Sequence, residues 1–159
     1  MSTTIATGQP APEFNLETDG GGSLSLASLR GRNVVLYFYP KDDTSGCTME
    51  SKDFNSLKDD FNAANTVIVG ISPDSTTSHD KFKAKYGLCF PLAADPAKAT
   101  LESYGVWVQK SMYGRKYMGV ERTTVLVDAA GTIAHIWPKV KVPGHAAEVL
   151  AAAKALPAS

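Results

Sequence analysis

Between residues 33 and 40 the chain reads N-V-V-L-Y-F-Y-P, an unbroken β-branched and aromatic stretch closed by proline. Such a run predicts a strand buried on both faces. From residue 46 the period changes. Cys47, Glu50, Ser51, Phe54, Leu57, Lys58 and Phe61 recur at helical spacing, so 46–63 predicts a helix with one inward face. A second buried strand follows at 66–72, "TVIVGIS", and then an amphipathic helix from Ser75 to Tyr86, which Gly87 closes. "FPLAAD" (90–95) predicts a short extended piece and 97–104 a short helix. The stretch "YGVWVQKSMYGRKYMGVE" (104–121) has no regular period and reads as irregular. Two strands, "RTTVLVD" and "TIAHIWP", flank the turn Ala129-Ala130-Gly131, and a helix over 145–155 ends the pattern. Near the N-terminus, "EFNL" and "SLSL" bracket Gly20-Gly21-Gly22, which reads as a hairpin turn; no helix pattern follows to make it a phosphate loop.

The order β-α-β-(α)-β-β-α places a parallel βαβ unit before a hairpin and a final helix. That is the thioredoxin-like order, with an added N-terminal β-hairpin and an insertion between the two halves. The expectation is therefore one α/β domain over 1–159. At 159 residues and 43% hydrophobic, the chain can build an ordinary core.

Charge and leader segments narrow the function. Sixteen Lys plus Arg against sixteen Asp plus Glu leave no global field to gather nucleic acid or anionic lipid, so neither nucleic acid nor membrane is an expected partner. "MSTTIATGQPAPEF" has no basic segment followed by an apolar stretch, and no later apolar run approaches the roughly 20 residues of a spanning helix. The expected location is the cytoplasm. With only two cysteines, Cys47 and Cys89, there is no disulfide framework, and His79, His135 and His145 show no metal-ligand spacing with them. Neither a structural metal nor a cofactor is expected.

Candidate chemistry gathers at "PKDDTSGCTMESK" (40–52), where strand turns into helix. Cys47 falls at the carboxyl end of the first central strand and in the first turn of a helix. Unpaired amides and the helix dipole stabilise an anion there, and the thiolate is the reactive form of cysteine. Thr44, Ser45 and Thr48 offer hydroxyls, and Gly46 keeps side-chain bulk away. On the residues alone, a small buried hydrophobe accounts for Cys47 as well as a nucleophile does.

The pattern Pro40-x-x-x-Thr44-x-x-Cys47 resembles the peroxiredoxin signature. "YFYPKDDTSGCTMES", "GVWVQKSMYGRKYMG" and "ERTTVLVD" resemble the bacterioferritin-comigratory, PrxQ-like subfamily along almost the whole chain. The resemblance implies a thiol peroxidase, an antioxidant oxidoreductase that reduces hydrogen peroxide and organic hydroperoxides to water and alcohols. Cys47 would be the peroxidatic cysteine and pass through a sulfenic acid. Thr44 would hold sulfur and peroxide through its hydroxyl, and Pro40 would shield the pocket. Arg122 would lower the thiolate pKa and stabilise the oxygens, with Glu50 steadying the arginine. Each also has a plainer reading: Pro40 ends a strand, Thr44 caps a turn, Glu50 favours the helix dipole and Arg122 is a solvated strand-entry charge. A peroxide-sensing switch or holdase with little turnover is the rival function. A thioredoxin-type exchanger would need cysteine at position 50.

One departure concerns recycling. The subfamily's resolving cysteine commonly lies five residues after the peroxidatic one or in the next helix, where this chain has Lys52 and Lys83. Cys89 remains as an internal partner, or as core filler. The expected reductants are thus external thiols, either thioredoxin or glutathione with glutaredoxin. The expected assembly is a monomer, since no apolar surface stripe stands out in the sequence.

Overall fold

The computed structural model describes residues 5–156, so the first four residues of the stretch read for a leader lie outside it. The strands are β1 (Asn15–Thr18), β2 (Ser23–Ser25), β3 (Asn33–Phe38), β4 (Thr66–Ser72), β5 (Leu92–Ala94), β6 (Trp107–Met112), β7 (Arg115–Val120), β8 (Thr123–Val127) and β9 (Ile133–Trp137). The helices are α1 (Ser45–Ser56), α2 (Lys58–Ala63), α3 (Thr76–Tyr86), α4 (Ala99–Ser103) and α5 (His145–Lys154). Seven strands form one mixed sheet in the order β2-β1-β5-β4-β3-β8-β9, with β3, β4 and β5 mutually parallel and the rest antiparallel. This is the thioredoxin-like α/β arrangement with its N-terminal hairpin.

Central β3 is buried at every position, and its alternation distributes the core. Val35, Tyr37 and Tyr39 point into a cluster with Cys47, Phe54, Phe61, Phe82 and Val149, covered by α1, α2, α3 and α5. Val34, Leu36 and Phe38 point the other way, towards Leu101 of α4, Phe14, Val106 and Val120. The sheet is thus covered on both faces, as the continuous apolar run requires. Gly70 on β4 lies in register with Tyr37; a Cβ there would sit 2.7 Å from the Tyr37 ring, so glycine is what admits the tyrosine.

Two local differences from the sequence reading have clear causes. The helix expected over 46–63 breaks at Leu57 (φ −103°, ψ 5°) into α1 and α2, because inward-facing residues continue across a bend that keeps Phe54 and Phe61 in one cluster. The stretch read as irregular is a hairpin, β6 paired with β7 from Trp107–Val120 to Met112–Arg115. Its tip, Tyr113-Gly114, adopts positive φ at both residues, the geometry of a tight hairpin turn. The hairpin stands apart from the main sheet and mostly in solvent, so nothing imposes an apolar-polar alternation on it.

Candidate active site

Helix α1 begins just past the carboxyl end of β3, beside the strand pair where the sheet changes from parallel (β4) to antiparallel (β8) neighbours. Cys47, Glu50, Ser51 and Phe54 fall at i, i+3, i+4 and i+7 and make the buried face of α1. Ser51 Oγ lies 2.9 Å from Tyr37 Oη, and the Tyr37 and Phe54 rings stack at 4.9 Å, which fixes how the helix sits on the sheet. Cys47 is wholly buried in the first turn. The Thr44 side chain, although at the N-cap position, makes no capping bond, so the first-turn amides are not consumed by it.

Arg122 enters from the other side, in the link between β7 and β8. Its carbonyl accepts from Val140 N–H at 2.9 Å, and neighbouring Glu121 N–H donates to Val106 at 2.8 Å. Its guanidinium forks: Nη2 donates to Cys47 Sγ at 3.2 Å and Nη1 to Glu50 Oε1 at 2.7 Å. A Cβ on Gly46 would come within 3.2 Å of Nη2, so Gly46 leaves room for that approach. Glu50 is only 1% exposed, and its second oxygen, Oε2, has no partner. Burial pushes the Glu50 carboxyl up to about 7, with Arg122 pulling the other way. Burial also opposes the Arg122 charge, but Glu50 and Cys47 outweigh it and hold the guanidinium charged.

Of the five residues singled out from sequence, Cys47, Arg122 and Glu50 come together in one cluster. Pro40 is half-buried between β3 and α1. Thr44 does not bond the sulfur: its Oγ1 donates to Lys41 O at 2.8 Å, leaving the hydroxyl oxygen as an acceptor.

Two features behind the site were not read from the sequence. His145, first residue of α5, is buried with Nε2 2.8 Å from Thr124 Oγ1, and burial and then Arg122 push it down to about 4, so it stays uncharged. Strand period is the available signal, because Arg122, Thr124 and Leu126 share one face. The second feature fastens the loop before Cys47. Buried Asp42 accepts from Tyr39 Oη (2.6 Å), Ser78 Oγ (2.8 Å) and His79 Nδ1 (2.7 Å), while its own N–H donates to Asp74 Oδ2 (2.7 Å). His79 Nε2 faces the Ala93 carbonyl at 3.1 Å, so both ring nitrogens are engaged. Asp43 accepts from Lys85 Nζ (2.8 Å) and Tyr86 Oη (2.6 Å). Consecutive aspartates thereby tie the 41–44 loop to α3. Asp42, Asp74 and His79 also have the donor set of a metal site, and here His79 Nδ1 bonds Asp42 Oδ2 directly at 2.7 Å.

The core-filler reading of Cys89 is overturned, because Cys89 is exposed. It precedes β5 at the end of the sheet opposite Cys47, beside a cavity of about 260 Å³ that Lys58, Arg32 and Phe90 help to line. Its N–H donates to Asn55 Oδ1 at 2.8 Å. Asn55 is eight residues beyond Cys47 on α1, which is about 12 Å of helical rise. The lysines at the two expected resolving positions have partners of their own. Lys52 Nζ lies 5.9 Å over the Tyr86 ring, and Lys83 Nζ pairs with Asp19 Oδ2 at 2.7 Å.

Comparison with known proteins agrees with this geometry. Residues 7–136 match the AhpC/TSA family. Peroxiredoxin Bcp of Bacillus subtilis is 45% identical over 147 residues, 92% of this chain and 94% of its own. Peroxiredoxin Bcp of Xanthomonas campestris is 46% identical over 148 residues, 92% of each chain. Among solved structures, the bacterioferritin comigratory protein of X. campestris, studied for alkyl peroxide reduction, superposes with a TM-score of 0.86 at 45% identity, over 89% of this chain and 90% of that one. PrxQ of Xylella fastidiosa gives 0.90 at 37% identity, over 95% and 96%. This chain, with its cysteine under an arginine at the head of α1, belongs to the AhpC/TSA family as a peroxiredoxin of the Bcp (PrxQ) type.

Proposed function

We propose that Cys47 is the peroxidatic cysteine of a thiol-dependent reduction of hydrogen peroxide and organic hydroperoxides, and that an external thiol recycles it. The carrying observation is the fork of Arg122, which puts one N–H donor on the sulfur and anchors the other on a buried carboxylate. The thiolate attacks one peroxide oxygen, the O–O bond breaks and a sulfenic acid forms, while water or an alcohol leaves. Arg122 is placed to donate to the oxygens as charge develops on them. Thr44, whose own proton is held by Lys41 O, is left to accept a hydrogen bond from the hydroperoxide O–H. Gly46 keeps the approach open beside Arg122.

The sulfenic acid then condenses with an incoming thiol, releasing water and leaving a mixed disulfide, and a second thiol frees Cys47. Thioredoxin, or glutathione with glutaredoxin, has the required chemistry. The position of Cys89, anchored at Asn55, supports an external partner.

The test is mass spectrometry of the reduced protein after one equivalent of peroxide, together with steady-state turnover on each reductant. A sulfenic acid or mixed disulfide at Cys47, with turnover abolished by Cys47→Ser, is the expected result. A dominant Cys47–Cys89 disulfide would refute external recycling. Oxidation of Cys47 without sustained turnover on any thiol would refute the enzyme in favour of a sensor.

A further inference from the structure

One cation at the site serves two acids. Arg122 Nη2 bonds Cys47 Sγ and Nη1 bonds Glu50 Oε1, and the Glu50 side chain is 1% exposed. A thiolate and a carboxylate ionised together would place two negative charges against a single guanidinium, with both the sulfur and the carboxyl buried. With one of them protonated, the group is neutral. The free oxygen, Oε2, buried with no donor near it, is where a proton on Glu50 would sit without disturbing the bond from Nη1.

We propose that Glu50 and Cys47 exchange the anionic role across Arg122, so that Glu50 holds a proton while Cys47 is a thiolate and gives it up as the sulfur is oxidised. This rests on Cys47 being the peroxidatic cysteine. The step balances as Cys–S⁻ + R′OOH + Glu–COOH → Cys–SOH + R′OH + Glu–COO⁻. The S–O bond forms as the O–O bond breaks, and the sulfur loses two electrons to the peroxide. The peroxide proton stays on the transferred oxygen as the sulfenic O–H. The departing alkoxide or hydroxide takes, by way of water, the proton that Glu50 releases. Arg122 faces one anion before the step and one after it. Reduction of Cys47 back to thiolate by the external thiol returns the proton to Glu50.

The other groups around Glu50 leave it this role. On α1, Asp53 one turn on raises the carboxyl further. From β3, Tyr37 keeps its proton, held up by burial, and shares a hydrogen bond with Ser51. From α5, His145 lies under the influence of Arg122 and is uncharged near neutrality. Among the described residues, Arg122 is the cation that acts on Glu50. Burial holds the Glu50 carboxyl up at about 7, and negative charge on the sulfur across Arg122 favours its proton further. Near pH 8 the exchange requires a protonated Glu50 in the reduced protein and an ionised one once the sulfur is a sulfenic acid.

Glu50 acts through Arg122, so its role is read from proton balance rather than rate. Reduced protein in a Cys89→Ser background is mixed with one equivalent of hydrogen peroxide at pH 8, weakly buffered, with a pH indicator in a stopped-flow cell. Without an internal donor the step draws one proton from solvent per thiolate oxidised. The protein with Glu50 intact should draw at most about half a proton, and Glu50→Gln about one. Equal uptake by the two proteins overturns the proposal. Infrared difference spectra of the protein with Glu50 intact, labelled with ¹³C-glutamate, give a measurement that does not depend on a variant folding. Oxidation should erase the C=O stretch of a protonated glutamate carboxyl, and an unchanged band overturns the proposal. Mass spectrometry of the same samples separates the two readings. Failure to oxidise Cys47 sinks the peroxidatic assignment itself, whereas oxidised Cys47 with unchanged proton balance sinks only the exchange.

Discussion

Glu50 and His145 both feel Arg122 and are displaced in opposite directions, which makes the pH dependence of stability a test of the site's electrostatics. Burial raises the Glu50 carboxyl from 4.5 to about 7, so the folded state holds a proton there that the unfolded chain releases. Stability from this group is complete below pH 4.5 and is lost as pH rises through 7. His145 is pushed down from 6.5 to about 4, by burial and then by Arg122, so the unfolded chain takes up a proton that the folded state refuses. Its contribution is complete above pH 6.5 and is lost as pH falls through 4. Each displacement corresponds to about 3 kcal/mol, with a slope of about 1.4 kcal/mol per pH unit and opposite signs. Over pH 4.5–6.5 the two slopes cancel, and this pair of groups contributes little net pH dependence.

Urea unfolding of the wild type, Glu50→Gln and His145→Gln at intervals from about pH 4 to 8 reads both terms. Relative to wild type, Glu50→Gln should gain about 3 kcal/mol between pH 4.5 and 8, because it removes the cost of ionising a buried carboxylate. His145→Gln should lose a similar amount relative to wild type over pH 4–7. Differences between proteins cancel the background titration of exposed groups. If the Glu50→Gln difference does not change with pH, the carboxyl is not displaced upward and the account of the site is wrong. A change of the opposite sign would mean that Arg122 outweighs burial.

Arg122→Ala removes the donor on the sulfur and should slow peroxide reduction by roughly two to three powers of ten, measured by rapid mixing; an unchanged rate would remove Arg122 from the chemistry. Asp42→Asn leaves a buried imidazole without its carboxylate and should cost about 3–5 kcal/mol in urea unfolding, with faster hydrogen exchange at residues 42–47; unaltered exchange would show that the 41–44 loop does not depend on this pair. Cys89→Ser should leave turnover with every reductant unchanged, because an exposed residue anchored two turns along α1 from Cys47 takes no part; a loss specific to thioredoxin would show otherwise.

The order of elements along the chain, the buried β3 and β4 and the placement of Cys47 at the head of α1 were legible because period and residue type agreed there. The unbroken apolar run over 34–39, rich in β-branched and aromatic residues, reads as a doubly covered strand, Pro40 closes it, and helical spacing takes over from residue 46. Cys47, Glu50 and Arg122 came from a spaced motif and its resemblance, and they meet in space. The β6–β7 hairpin was missed because solvent surrounds most of it, and the pattern of apolar residues records only burial. The break at Leu57 was missed because Phe54 and Phe61 keep helical spacing across it. His145 and the Asp42–His79 pair were missed for a different reason: each is a polar residue buried by a partner distant in sequence, and the period of one element, even where it puts Thr124 on the face of Arg122, does not name the residue of another element that meets it. Cys89 misled because free cysteines are commonly buried, whereas a hydrogen bond from its backbone to Asn55 is enough to hold it at the surface.

How α1 is held at both ends favours the proposed recycling of Cys47 by an external thiol. A disulfide to Cys89 requires Cα atoms within about 7 Å, and the shared contact with Asn55 places Cys89 about 12 Å down the helix from Cys47. Closing that gap means unwinding α1 through Ser51 and Phe54, which gives up the Tyr37–Ser51 hydrogen bond and the 4.9 Å stack on Tyr37. It also means freeing the 41–44 loop from α3, where the Asp42–His79 and Asp43–Lys85 pairs hold it. Lys83, where a cysteine of the next helix would stand, instead pairs α3 with Asp19 of the N-terminal hairpin. An external thiol has to uncover the wholly buried sulfur beneath Arg122, but it does not have to bring Cys47 about 12 Å along α1 to Cys89. The residues that would have to let go for an internal disulfide are thus the ones that position the loop and helix for attack on peroxide.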